Sequence, residues 1–239
     1  MTTQTGSAPA DPSSSRLEPT PRPAPPYSED QTGRGLPSRR LMVALGSVYT
    51  LLFAAVITAG GESPAPDTAG SKIIADYDIG DLQIQLAVYS MVVAAALLVF
   101  YGGALRALLW SRRRMWTADV AFAGLILMAV ALVGFAVGAL AMHSAVDTGN
   151  ASVVQALNVF DNSNFPAAML GLVTTMVATG VTALRTGLLA RWLSIASIVI
   201  GCLAPLGPGG FVPFALFPIW LIVVAALLRR LDVQETATA

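Results

Sequence analysis

The chain has 239 residues, 55% hydrophobic and only 12% charged, against roughly 25% charged in an ordinary soluble domain; together with a mean hydropathy of +0.67 this argues against a water-facing globule. Basic and acidic side chains balance at fourteen each, which removes any bulk electrostatic preference for nucleic acid. Cys202 is the one cysteine, so an intrachain disulfide and a cysteine metal cage are excluded, and its expected role is an apolar filler inside a helix.

Residues 1–40 hold eight prolines among many Ser and Thr, with no apolar run. Such a segment buries too little surface to offset chain entropy, and a disordered cytoplasmic tail is expected. Six apolar segments follow, at about 41–59, 83–109, 118–142, 165–184, 188–206 and 211–228. A helix rises about 1.5 Å per residue, so about 20 residues cross a hydrocarbon core about 30 Å thick. The sequence therefore predicts an all-α fold, a polytopic bundle of six transmembrane helices. The second and third segments are long enough to tilt or to project. Arg191 near the start of the fifth, and "PLGPGG" at its end, leave a re-entrant hairpin with the sixth open. "SRRLMV" at 38–43 and "ITAG" at 57–60 have the outline of a twin-arginine signal and its cleavage site. Five further spans favour a retained first helix instead.

The arginines orient the bundle. If the loop after the second segment is cytoplasmic, alternation puts all thirteen inside: Arg16, Arg22, Arg34, Arg39 and Arg40, then Arg106 and Arg112 to Arg114, Arg185 and Arg191, and Arg229 and Arg230. Only Lys72 falls outside. Cationic loops stay on the cytoplasmic side, so both termini are expected there, followed by a short tail at 231–239. Trp110 and Trp116 flank the triple arginine at interfacial depth. The acids Glu62, Asp67, Asp76, Asp78, Asp81, Asp147 and Asp161 face outward in this arrangement. "ALRALLWSRRRMW" after the second segment echoes "ALRTGLLARW" after the fourth, each about 25 residues beyond an acid, Asp81 or Asp161. Two parallel hairpin repeats and simple convergence of stop-transfer ends both account for that echo.

Candidate chemistry is sparse. His143 is the single histidine, so paired-histidine haem ligation, an HExxH zinc site and a histidine relay are excluded, and a surface position is expected. "DYDIGD" at 76–81 gathers three carboxylates, Asp76, Asp78 and Asp81. A calcium loop needs Gly sixth and Glu twelfth, whereas Gly80 is fifth and Ala87 twelfth. Helix initiation at Asp81 is the better reading, and Asp161, Asn162 and Asn164 read the same way before the fourth segment. Asp119 lies two residues after Thr117, an expected N-cap, and is assigned to the first helical turn; as an acid near apolar sequence it is also a functional candidate.

Packing signals are clearer. Ala167, Gly171, Thr175, Thr179 and Ala183 recur at every fourth position and form a ridge of small residues. Gly134 and Gly138 make a GxxxG pair, with Ala141 nearby. Pro218 is expected to kink the sixth helix.

"GLLARWLSIASIVIG" and "FVPFALFPIWLIVVAALLRR", with the span spacing, give residues 41–230 a resemblance to a large group of uncharacterised small multi-pass integral membrane proteins of actinobacteria. The resemblance implies a location in the cytoplasmic membrane and carries no activity. The expected function is non-enzymatic, acting through helix packing and acidic outer loops, with no cofactor or metal. The expected partners are the lipid bilayer and a membrane protein or second copy, not nucleic acid. The alternative is a small transporter or channel subunit with a cavity near the second to fifth spans.

Overall fold

The computed structural model describes residues 36–59, 64–205 and 211–228. The expected tail as far as residue 35, Glu62, the stretch 206–210, Arg229, Arg230 and the residues from 231 onward lie outside the described residues, as do the side chains of Ala59 and Arg112. Seven helices make up the described structure, and no strand occurs among the described residues: α1 (Arg39–Ala59), α2 (Gly70–Asp76), α3 (Asp81–Arg112), α4 (Trp116–Asp147), α5 (Ala151–Thr186), α6 (Arg191–Leu203) and α7 (Phe211–Leu227).

Helix boundaries follow from local chemistry. The Ser38 hydroxyl accepts the Leu41 N–H at 3.2 Å, so α1 begins at Arg39, slightly before the expected boundary. Asn150 caps α5 by accepting the Val153 N–H at 3.3 Å, after Gly149 has turned the chain at φ 66°. Gly187, at φ 69°, ends α5 in the left-handed region that favours glycine, and its N–H bonds the Ala183 carbonyl at 2.8 Å.

Four helices, α1, α3, α4 and α5, are long and apolar enough to cross a membrane. Of the six expected transmembrane segments, the fifth and sixth form shorter apolar helices. α6 has 13 residues and α7 has 17, against the roughly 20 that a full crossing takes. α6 is short because the chain is still non-helical at 187–190, and Pro205 follows two residues after Leu203. α5 departs in the other direction. It starts at Ala151 rather than near 165 and runs for 36 residues, about 54 Å at about 1.5 Å per residue.

α5 is the central element. It packs along α4, touches α3 and α7, and carries α6 on a further side, while α3 also packs on α1, and α1 on α7. Polar side chains stitch these contacts. Tyr101 on α3 donates its hydroxyl to the Leu221 carbonyl on α7 at 2.7 Å. Trp220 on α7 donates its indole N–H to the Ser197 hydroxyl on α6 at 2.9 Å, and the Thr182 and Thr117 hydroxyls share a bond of 2.6 Å between α5 and α4. The outer faces are apolar: Leu51, Phe100, Val130, Val137 and Leu170 are all exposed. Such faces are at home in lipid, where they cost nothing, and costly in water.

Candidate functional site

Asp81 opens α3 and Arg112 closes it, so the helix carries one polar cluster at each end. At the acidic end, seven residues from 70 to 76 form α2, a helix that the periodicity did not predict. α2 lies across α5, with Ile73 buried against Ala145 of α4 and Val154 of α5 in a small core of its own. The segment leading into α2 is tied down by amides of α5. Asn158, 1% exposed, donates to the Ala65 carbonyl at 2.8 Å, and Asn162 donates to the Pro64 carbonyl at 3.3 Å. Gly70 sits against the Ala151 backbone, where a Cβ would overlap it, which seats the start of α2 on the start of α5.

His143, expected at the surface, is the hub of this end. Its side chain is 12% exposed, with Nε2 3.0 Å from Asp81 Oδ1 and Nδ1 3.2 Å from the Tyr77 hydroxyl. One neutral tautomer satisfies all three groups: Nε2–H donates to Asp81 while Nδ1 accepts from Tyr77. Burial pushes the Tyr77 phenol above its ordinary pKa, and the charge of Asp147 adds to the rise. Tyr77 therefore stays a donor across the physiological range. The chain of bonds joins the connection before α3, the first residue of α3 and the end of α4. Asp81 thus both starts a helix, as expected, and anchors His143. Asp67, Asp76, Asp78 and Asp147 are exposed around it, with Lys72 the accompanying cation. Asp76, Asp78 and Asp81 do not converge on a cation: among the described residues no group of three or more His, Cys, Asp or Glu side chains is placed to hold a metal.

Asp161, Asn162 and Asn164 do not initiate a helix. They lie inside α5, ten or more residues beyond its N-cap, Asn150. Asn164 donates to the Ala131 carbonyl of α4 at 2.8 Å, and half-buried Asp161 stands beside Gly138. Gly134 faces Asn164, so both glycines of the GxxxG pair meet the polar stretch of α5. The proposed repeat loses its symmetry here, because Asp81 opens a helix and Asp161 does not. Pro166 is also interior to α5, where it supplies no N–H to the carbonyl one turn earlier.

Of the ridge, Gly171, Thr175, Thr179 and Ala183 are buried and Ala167 is half-buried. The α4 and α5 backbones touch at Gly124 and Gly171. Ala141 is half-buried, and Pro218 is buried within α7. Cys202 is in α6 but exposed rather than packed as a filler.

At the other end, Thr117 is not the cap of α4. Met115 occupies that position without a side-chain bond, and Thr117 is buried against Thr182. Asp119 is in the first turn, as expected, and accepts from Arg106 Nε at 2.6 Å. The same guanidinium lies 3.9 Å over the Trp110 ring. Both members of the ion pair are partly exposed, so the pair is a modest tie between α3 and α4. An apolar depression opens between α3 and α4, and another is lined by Arg113, Arg114, Met115, Trp116 and Arg185.

Comparison of the chain with protein-family models, with curated proteins and with solved structures finds no match.

Proposed function

We propose that this chain is a multi-pass protein of the cytoplasmic membrane, with α1, α3, α4, α5, α6 and α7 all within the bilayer and both termini in the cytoplasm. It acts without catalytic chemistry, as a helix-packed scaffold that presents an acidic cap to the outer compartment for a basic surface on a membrane-protein partner. The observation that carries this reading is how the cap is held. Side chains of the bundle hold it from beneath, Asn158 and Asn162 of α5 and His143 of α4, and its own Ile73 is buried against α4 and α5. Its carboxylates Asp67, Asp76, Asp78 and Asp147 are left exposed. A surface fixed from beneath and charged above is preorganised for recognition, since little ordering remains to oppose binding.

The test is neutralisation of Asp67, Asp76 and Asp78 together to Asn, followed by cross-linking in intact membranes. The triple variant should keep its yield and melting temperature and lose the cross-linked species of the parent. An unchanged cross-linking pattern would remove the cap from the proposal. A second reading, a small transporter or channel subunit, draws on half-buried Asp161 between α4 and α5. That reading expects Asp161→Asn to abolish cation flux into proteoliposomes while the protein still inserts.

A further inference from the structure

The arginine-lined depression lies where the α3–α4 connection meets the end of α5. Arg113 and Arg114 come from the connection and Arg185 from the last turn of α5, so two separate segments bring three guanidiniums to one place. All three are exposed. The floor is Met115, which is buried, and one wall is Trp116, which is 71% exposed.

Among the described residues no carboxylate neutralises their charge. No acidic residue occurs between Asp81 and Asp119, nor between Asp161 and Asp232. Asp119, in the first turn of α4, is already held by Arg106 at 2.6 Å. Among the described residues, none of the three arginines forms a salt bridge. Three like charges held side by side repel, an arrangement that an anion relieves. Guanidinium forks match carboxylate and phosphate oxygens in pairs, and a phosphate group has oxygens enough to meet more than one fork, which a single carboxylate or a halide does not.

We propose that this depression binds a phosphate-bearing anion, and that its source is the headgroup of an anionic phospholipid in the leaflet around the arginine end. The apolar floor and the exposed tryptophan select that source. A free phosphate is all polar surface and gains nothing from Met115 and Trp116, whereas a phospholipid places glycerol and acyl carbons beside them. A basic pocket between spanning helices, at headgroup depth, is built for such a ligand. The inference rests on the membrane reading above but not on the acidic cap.

The full-length protein, purified in a neutral detergent, is titrated with phosphatidylglycerol, phosphatidylcholine and inorganic phosphate, and bound adducts are counted by native mass spectrometry. The parent should bind phosphatidylglycerol in preference to phosphatidylcholine. Arg113→Gln, Arg114→Gln and Arg185→Gln combined should weaken phosphatidylglycerol binding about ten-fold or more. Arg191→Gln removes an exposed charge outside the depression and should leave the affinity within about two-fold. Equal loss in Arg191→Gln, or no lipid preference in the parent, overturns the site. Saturation by inorganic phosphate at the same three arginines, with no preference for the lipid, overturns the lipid source. Extraction of membranes with alkaline carbonate separates the two levels of the argument. A chain released by carbonate defeats the membrane reading itself, whereas a retained chain without lipid preference defeats this inference alone.

Discussion

At Gly171 the backbones of α4 and α5 are so close that a Cβ would stand 2.7 Å from the Met128 nitrogen and 2.9 Å from the Gly124 carbonyl oxygen. Neither atom belongs to a side chain that can rotate away, so a larger residue must separate the helices. Gly171→Leu should cost about 1–3 kcal/mol, read as a lowered melting temperature in detergent. Leu170→Ala is the matched control, because Leu170 is 58% exposed while Leu172 is fully buried. Equal melting of Gly171→Leu and the parent would show that this contact contributes nothing. Asp119 answers to a different balance. Its pair with Arg106 is partly exposed, and exposed pairs contribute about 0–1 kcal/mol. Asp119→Asn should therefore lower stability by at most about 1 kcal/mol. Chemical denaturation that finds a much larger loss would assign Asp119 a buried role.

At the scale of elements, α2 and the segment before it depend on a few polar bonds and one small core. Asn158 is nearly fully buried, and its bond to the Ala65 carbonyl fixes that segment on α5. Asn158→Leu leaves the carbonyl without its donor, a loss of about 1–3 kcal/mol. The loss should be local, since the α4–α5 contact near Gly171 lies further along the helix. Hydrogen exchange should therefore quicken across 64–80 and stay slow in the middle of α4 and α5. Exchange that quickens equally in both regions would show that the cap and the bundle unfold as one unit.

Under the proposed membrane reading, charge asymmetry between the two ends sets the orientation of the whole molecule. A reporter active only in the cytoplasm should work when fused after Arg114 or Arg230 and fail after Gly149. Activity after Gly149 would invert the bundle and bring the acidic cap to the cytoplasmic side. The short α6 and α7 bear on the same question. Their 13 and 17 residues fall below the roughly 20 of a full crossing, and they pair through Trp220 and Ser197. Fusions at residues 206–210 would show which side of the membrane that connection occupies.

The sequence by itself determined the helical class, the long apolar helices α1, α3 and α4 and the close-packing character of the ridge through Gly171. These rest on local quantities: apolar run length, hydrogen-bond closure within each helix, and small residues spaced one turn apart. The true start of α5 was masked because Asp161, Asn162, Asn164 and Pro166 look like a helix boundary when read along the chain. Only tertiary structure shows their amides spent on α4 and on the segment before α2, which lets a polar stretch continue as helix. Likewise His143 gave no signal as a lone polar residue at a helix end. Its partners Tyr77 and Asp81 stand 66 and 62 positions away. The folding of α3 back against α4 is what brings them within reach, and no pattern confined to neighbouring residues encodes that meeting.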